Sequence, residues 1–216
     1  MIAAITQRVI QDDVTGEIRD VLCHDFYRLL DSLGYTLVVP LPTNITLAKA
    51  LLERISPDIL ILSGGNDVEY GQDSSEPSSR PNLLRDSFER SLISWAIQNN
   101  TPLFGICRGM QMIHAYFGGK LRRIEGHART IHSISLSNGT RYETVNSYHY
   151  YAISFHELSE QLKPVAFCSD GTVEAFVHDN YRISAIMWHP ERESELSTVS
   201  KELLVAALEE RQGGGQ

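Results

Sequence analysis

The chain has 216 residues, 42% of them hydrophobic, and a formal net charge of −8. This apolar content is enough for a buried core, and the acidic balance argues against binding to nucleic acid or to an anionic membrane surface. Three cysteines do not describe a disulfide framework, and we find no N-terminal signal and no apolar run near the ~18 residues that span a bilayer. We therefore expect one domain, 1–216, in the reducing cytoplasm.

The first half of the chain alternates apolar runs with helical patterns. Buried strands are predicted at 2–5, 35–40, 59–62 and 101–106. Helices are predicted at 21–33, 45–55 and 84–99, where apolar residues recur three and four positions apart. Polar segments at 6–15 and 69–81 are predicted to be a turn and a long loop. The alternation predicts a flavodoxin-like α/β fold with a parallel-rich central sheet flanked by helices.

The second half of the chain has a different pattern. Alternating segments at 131–136 and 141–145 flank Asn138-Gly139, a strong hairpin signal, and predict an additional small β-hairpin region. Further elements are predicted as strands at 165–169, 172–178 and 183–187 and a helix at 201–210.

Cys107 lies in the most informative stretch of the sequence. Gly105-Ile106-Cys107-Arg108-Gly109 follows a predicted strand and precedes a predicted helix. Glycines two positions before and after a nucleophile are typical of a nucleophile elbow, a sharp bend where side chains would collide. The helix N-terminus favours a thiolate, and the N–H of Arg108 can donate to an oxyanion. The alternative is a buried structural cysteine between two loop glycines.

A cysteine nucleophile needs a base and a group that orients the base. His189 follows the apolar run at 183–187, and Glu191 stands two residues later. Residues i and i+2 of an extended segment project to the same side, so the carboxylate can hold the imidazole. The carboxyl ends of parallel strands share one crevice, where we expect Cys107 and His189 to meet.

These motifs together resemble the class I glutamine amidotransferase superfamily. Gly-Ile-Cys-Arg-Gly-Met-Gln and the downstream Trp-His-Pro-Glu carry the likeness, which covers essentially the whole chain. Within the superfamily, 63–68 (Ser-Gly-Gly-Asn-Asp-Val) and 85–89 (Arg-Asp-Ser-Phe-Glu) resemble stand-alone γ-glutamyl hydrolases. The resemblance implies cleavage of a γ-glutamyl amide through a glutamyl thioester, with no metal or organic cofactor.

The resemblance also implies individual roles. Cys107 would be the nucleophile, His189 the base and Glu191 the residue that orients it. The N–H groups of Gly65 and Arg108 would stabilise the oxyanion. The glutamyl end of the substrate would be held by Gln111, Ser147, Tyr148 and His149.

The leaving group is less well defined by the sequence. The chain is also similar to γ-glutamyl-CDP-amidate hydrolases of bacterial capsule phosphoramidate biosynthesis. A nucleotide would suit two groups of side chains, which otherwise pack a loop and cover a solvated face: the tyrosines Tyr148, Tyr150 and Tyr151, and the basic residues Lys120, Arg122, Arg123 and Arg129. Tyr151 stands where hydrolases of γ-glutamyl amines are expected to have glutamine.

Three other functions stay open at this point. They are a γ-glutamyl-amine hydrolase, a glutaminase subunit that supplies ammonia to a separate synthase, and a non-catalytic binding module. The expected partner is a small γ-glutamyl conjugate, with no nucleic acid and no membrane, and the sequence does not define an oligomeric state.

The remaining histidines and cysteines are not expected to take part in catalysis or in metal binding. His127 and His132 could form a metal pair, but no carboxylate or thiol at a suitable spacing supports one. His114 is expected to pack in the helix after the elbow. Cys23 and Cys168 are expected to be buried, unreactive thiols.

Overall fold

A computed structural model describes residues 1–69, 80–137 and 142–208, and for residues 80–82 it describes the backbone only. Most of the predicted loop at 69–81, the Asn138-Gly139 turn and the end of the predicted terminal helix lie outside the described residues. No helix in the described ranges is both long and apolar enough to cross a bilayer.

Strands and helices alternate first and strands then predominate. In chain order the elements are β1 (Ile2–Ile5), β2 (Arg8–Gln11), β3 (Ile18–Val21), α1 (Asp25–Ser32), β4 (Leu37–Pro40), α2 (Ile45–Ile55), β5 (Ile59–Leu62), α3 (Arg80–Gln98), β6 (Leu103–Ile106), α4 (Arg108–Tyr116), β7 (Arg122–Arg123), β8 (Ala128–Leu136), β9 (Tyr142–Tyr148), β10 (Tyr151–Ala152), β11 (Leu162–Cys168), β12 (Val173–His178), β13 (Ile183–Ile186) and α5 (Thr198–Leu208).

A nine-stranded sheet in the order β4-β1-β5-β6-β13-β12-β11-β8-β9 organises the chain. Its first five strands are parallel, and β12, β11, β8 and β9 extend it as an antiparallel half. Two small sheets, β2–β3 and β7–β10, stand apart from it. This arrangement confirms the predicted α/β fold with a parallel-rich sheet and a small hairpin region.

Helices cover both faces of the parallel half. Every residue of β5 and β6 is buried, and alternate residues pack into different apolar clusters. Leu60 and Leu62 share a cluster with residues of α2, α3 and α4, whereas Ile59 and Ile61 share one with residues of α1 and α5. Since both faces of β5 and β6 are buried against helices, these strands are apolar throughout, and this continuous apolar pattern allowed them to be predicted from the sequence.

Two predicted elements need correction. The segment 6–15 contains β2, which pairs antiparallel with β3. Asn66 also holds this strand, donating to Val9 O at 2.8 Å and accepting from Val9 N at 3.0 Å. The helix predicted at 21–33 begins at Asp25, after β3. The pair β8–β9 forms the predicted hairpin and lies at the edge of the main sheet.

Candidate active site

Three adjacent parallel strands deliver the candidate groups to one edge of the sheet. β5 leads into the Ser63–Asn66 turn, β6 into Cys107, and β13 towards His189. Ile186 pairs with Ile106, and the Cys107 N–H donates to Ile186 O at 2.8 Å. The predicted nucleophile and base therefore follow the carboxyl ends of two neighbouring strands.

The backbone bends sharply at Cys107. Its φ of 51° and ψ of −103° are rarely adopted by a non-glycine residue. A Cβ on Gly105 would lie 2.8 Å from the carbonyl carbon of Gly109, and one on Gly109 would lie 2.1 Å from Leu62 O. Both glycines thus permit the close approach that the elbow motif predicts. Because α4 begins at Arg108, the N–H of that residue has no acceptor inside the helix.

His189 lies between a sulfur and a carboxylate. Its Nδ1 is 2.7 Å from Glu191 Oε1, and its imidazole lines the same cavity as the Cys107 side chain. Burial alone would lower the pKa of His189, but the Cys107 sulfur and the Glu191 carboxylate raise it to about 10. The side chain of Asn146 holds the His189 backbone, accepting from its N–H at 2.9 Å and donating to its carbonyl at 2.8 Å. The arrangement favours the protonated form of the His189 imidazole.

Gly64, in the turn after β5, borders the imidazole. A Cβ at this position would lie 2.8 Å from His189 Cε1 and 3.6 Å from Cys107 Cβ.

We expect Gly64→Ala to lower kcat/KM for glutamate release about 100-fold, because displacing a reacting group by about 1 Å costs that much. Steady-state kinetics checks this. Gly34→Ala, with a strained φ of 83° and only flexible Met1 nearby, should lower the melting temperature and leave kcat/KM unchanged. Equal kinetic losses in both variants would contradict the prediction.

A buried charge network supports the turn that contains Gly65. Glu89 pairs with Arg85 at 2.9 Å and also with Arg108, and Arg108 contacts Asp86 at 2.5 Å. Burial alone would raise the pKa of the Glu89 carboxyl, but Arg108 and Arg85 hold it below its usual value. Arg85 also donates to the carbonyls of Ser63, Gly64 and Gly65, at 2.6, 3.1 and 2.5 Å. The predicted oxyanion residues Gly65 and Arg108 are thus tied to one network.

A cavity of about 430 Å³ opens beside Cys107. The predicted site residues that line it are Gly65, Cys107, Arg108, Gln111, Tyr148, His149 and His189. Ser147 does not line it: successive residues of β9 point to opposite faces, and the buried Ser147 hydroxyl donates to His127 O at 2.5 Å. A larger hollow of about 520 Å³, lined by Asp58 and Arg182 among others, contains none of the predicted site residues.

Polar contacts hold two of the predicted substrate residues in place. Gln111 donates its amide N–H to Tyr151 O at 2.9 Å, and His149 Nδ1 lies 2.9 Å from the same oxygen. Burial lowers the pKa of the His149 imidazole. Tyr148 is 41% exposed and packs edge-on against His189 at 5.6 Å.

The cavity mouth is basic and aromatic. Tyr148, Tyr150 and Tyr151 line it, and of the four basic residues that a nucleotide would suit only Arg129 does so. Arg122 instead pairs with Glu157 on the surface. Sequence reasoning missed two other lining arginines, Arg8 from the β2–β3 hairpin and Arg192, whose guanidinium stacks 4.2 Å from the Tyr148 ring. Because both arginines lie far from the elbow in the sequence, no local pattern linked them to the cavity.

The other histidines and cysteines differ from expectation in two places. Cys23 is exposed and precedes α1, because the helix starts later than predicted. The carboxylate of Glu174 and the thiol of Cys168 lie beside His127 and His132, although no linear spacing indicated them. They come from β12 and β11, which the sheet brings near β8. His114 packs in α4 as expected, with Nε2 3.0 Å from Lys120 O.

Comparisons with known proteins identify the family. The Peptidase C26 family model matches residues 2–191. The γ-glutamyl-CDP-amidate hydrolase of Campylobacter jejuni is 34% identical over 202 residues, 92% of this chain and 94% of that protein. Protein NtpR of Enterococcus hirae is 34% identical over 185 residues, 73% of this chain and 75% of that protein.

A solved structure supports the fold independently. The crystal structure of a glutamine amidotransferase from Thermotoga maritima superimposes with a TM-score of 0.62 at 16% identity, covering 96% of this chain and 95% of that chain. At this identity the likeness concerns the fold alone. Because the family model spans most of the sequence, the chain belongs to the Peptidase C26 family of class I glutamine amidotransferase-like proteins.

Proposed function

We propose that this protein hydrolyses a γ-glutamyl amide bond, with Cys107 as the nucleophile. The observation that carries the proposal is the convergence of three groups at the ends of β6 and β13: Cys107 and His189 line one cavity, and His189 Nδ1 is 2.7 Å from Glu191 Oε1. A thiolate paired with an imidazolium is a competent acyl-transfer nucleophile at neutral pH.

The steps follow from the positions of these groups. The Cys107 thiolate attacks the γ-carbonyl carbon, and the oxyanion receives hydrogen bonds from the N–H groups of Gly65 and Arg108, each contributing about 3 kcal/mol. His189 gives its proton to the leaving nitrogen, and the C–N bond breaks to leave a glutamyl thioester. His189 then takes a proton from water, which attacks the thioester and releases glutamate. Glu191 keeps the imidazole oriented and favours its protonated form.

The leaving group that the cavity suits best is a nucleoside diphosphate amidate. The arginines Arg8, Arg129 and Arg192 can neutralise a diphosphate, and the half-exposed rings of Tyr148 and Tyr150 can stack on a base. The relative from Campylobacter jejuni has γ-glutamyl-CDP-amidate hydrolase as its name. We therefore infer that the substrate is γ-glutamyl-CDP-amidate and the products are glutamate and cytidine diphosphoramidate, as in capsule phosphoramidate biosynthesis.

Glutamate release from a substrate panel tests this proposal. We expect kcat/KM for γ-glutamyl-CDP-amidate to exceed that for a γ-glutamyl amine and for glutamine. Arg129→Gln should lower kcat/KM for γ-glutamyl-CDP-amidate about 10-fold, because it removes one charged hydrogen bond to the substrate. It should leave kcat/KM for a γ-glutamyl amine unchanged. Arg54→Gln, a charge-matched change on α2, is the control. A preference for γ-glutamyl amines would indicate an amine hydrolase, a preference for glutamine a glutaminase, and no release a binding module.

The pH dependence provides a second test of the site. Proton donation by His189 requires the imidazolium, so kcat/KM should fall as pH rises through about 10. Glu191 raises the pKa of His189, and Glu191→Gln should therefore move this alkaline limb to lower pH by roughly 1–3 units. A pH–rate profile checks this, with exposed Glu195→Gln as the control. An unchanged limb in Glu191→Gln would contradict the assigned role.

A further inference from the structure

A second cluster of polar side chains lies within the antiparallel half of the protein. His127 precedes β8, His132 lies in β8, His149 follows β9 and Glu174 lies in β12. His127 Nδ1 is 3.3 Å from His149 Nε2 and 3.8 Å from Glu174 Oε1, and His149 Nε2 is 3.6 Å from the same oxygen. His132 Nε2 is 3.3 Å from Glu174 Oε2. Three potential ligands thus converge, from His127, His149 and Glu174, and His132 contacts the second oxygen of Glu174.

The carboxylate of Glu174 is buried without hydrogen bonds from the described residues. It is 0% exposed, and within the described residues neither carboxylate oxygen has a hydrogen-bond partner. A buried carboxylate without hydrogen bonds is strongly destabilising unless a cation compensates its charge. No lysine or arginine pairs with Glu174 among the described residues, so the compensating charge must come from the histidines or from a bound ion.

The outer contacts of two histidines favour an ion. His127 Nε2 lies 2.8 Å from Asp170 Oδ2, and His149 Nδ1 lies 2.9 Å from Tyr151 O. Each of these oxygens accepts a hydrogen bond, so the neutral ring carries its proton on that side. The inward nitrogens, His127 Nδ1 and His149 Nε2, then present lone pairs to each other and to Glu174. Such outer carboxylate and carbonyl partners are typical of metal-binding histidines.

We propose that this cluster binds a structural Zn²⁺ ion through three ligands, His127 Nδ1, His149 Nε2 and Glu174 Oε1, with His132 Nε2 as an outer partner of the second carboxylate oxygen, Glu174 Oε2. Tetrahedral zinc with bonds of about 2.0–2.1 Å separates its ligand atoms by about 3.3 Å, close to the observed spacing of the three ligand atoms. Cys168 Sγ contacts the other nitrogen of His132 at 3.5 Å and is an outer partner. The ion ties β8, β12 and the segment after β9 together, and it does so whether or not the proposed hydrolysis is correct.

Metal analysis of the purified chain tests the site. Protein produced in zinc-supplemented medium and dialysed without chelator should contain about one zinc per chain. Glu174→Gln and His127→Gln should each lose it, whereas His156→Gln, at an exposed histidine, should retain it. After removal of zinc by a chelator, adding zinc back should raise the melting temperature by roughly 5 °C or more.

Cobalt substitution keeps the test decisive where a variant does not fold. Co²⁺ bound to the zinc-free wild-type chain should give the visible bands of a tetrahedral site without a thiolate charge-transfer band. Zinc below about a tenth of an equivalent, with no thermal shift on zinc addition, would overturn the proposal in favour of a proton shared among the histidines and Glu174. A strong thiolate band that disappears in Cys168→Ser would overturn the ligand set, as would full zinc content in folded Glu174→Gln.

Discussion

Replacing Cys107 with alanine is expected to lower kcat/KM for glutamate release by roughly 10⁵-fold, because the variant has no nucleophile and keeps only substrate binding and the oxyanion donors. The fold should remain, because alanine is smaller than cysteine and can occupy the position between β6 and α4 without steric clashes. Steady-state kinetics and thermal unfolding measure the two effects separately. In the wild type with deacylation slowed, mass spectrometry should find a glutamyl adduct on Cys107.

The exposed cysteine supplies the matched control for this prediction. Cys23→Ala should leave kcat/KM unchanged, because this thiol lies on the surface before α1. Cys107→Gly should be as inactive as Cys107→Ala yet more stable by about 1 kcal/mol, since glycine relieves the strain of φ 51°. Residual turnover near the wild-type value in Cys107→Ala would rule out this cysteine as the nucleophile.

Glu89→Gln is expected to destabilise the protein by about 3–5 kcal/mol, because it leaves the buried guanidinium groups of Arg85 and Arg108 without a shared counterion. For a chain of this size that loss should lower the melting temperature by roughly 10 °C. The wild-type contribution of Glu89 is present above the carboxyl's unfolded pKa and is lost as pH falls through its lower folded pKa. The difference between wild type and variant should therefore shrink in acid.

A surface pair provides the comparison for Glu89. Glu157→Gln breaks the ion pair with Arg122, whose side chain is 69% exposed, and should cost less than about 1 kcal/mol. Thermal and denaturant unfolding of both variants measures the contrast. Similar losses in the two variants would mean that the buried network contributes no more than an ordinary surface contact.

Local patterns predicted the parallel half of the fold well. The bounds 45–55 and 59–62 agree with α2 and β5, since a capped helix and a fully buried strand are both encoded in consecutive residues. The two glycines around Cys107 likewise predicted the bend, because each is required by a close backbone approach.

Features that depend on distant residues could not be predicted in this way. The extended conformation at Val9 is held in part by Asn66, and the cavity arginines Arg8 and Arg192 come from opposite ends of the chain. The inward turn of Ser147 follows from strand register. The Glu174 cluster joins separate strands, so no spacing in the sequence describes it.

The pairing of Ile106 with Ile186 at the centre of the main sheet has a dynamic consequence. Amide protons near Cys107 should exchange with solvent only through global unfolding, whereas those at the exposed start of the edge strand β9, near Tyr142, should exchange through local opening at much lower cost. The sulfur and the imidazole can therefore keep their mutual alignment while the far edge of the sheet opens and closes.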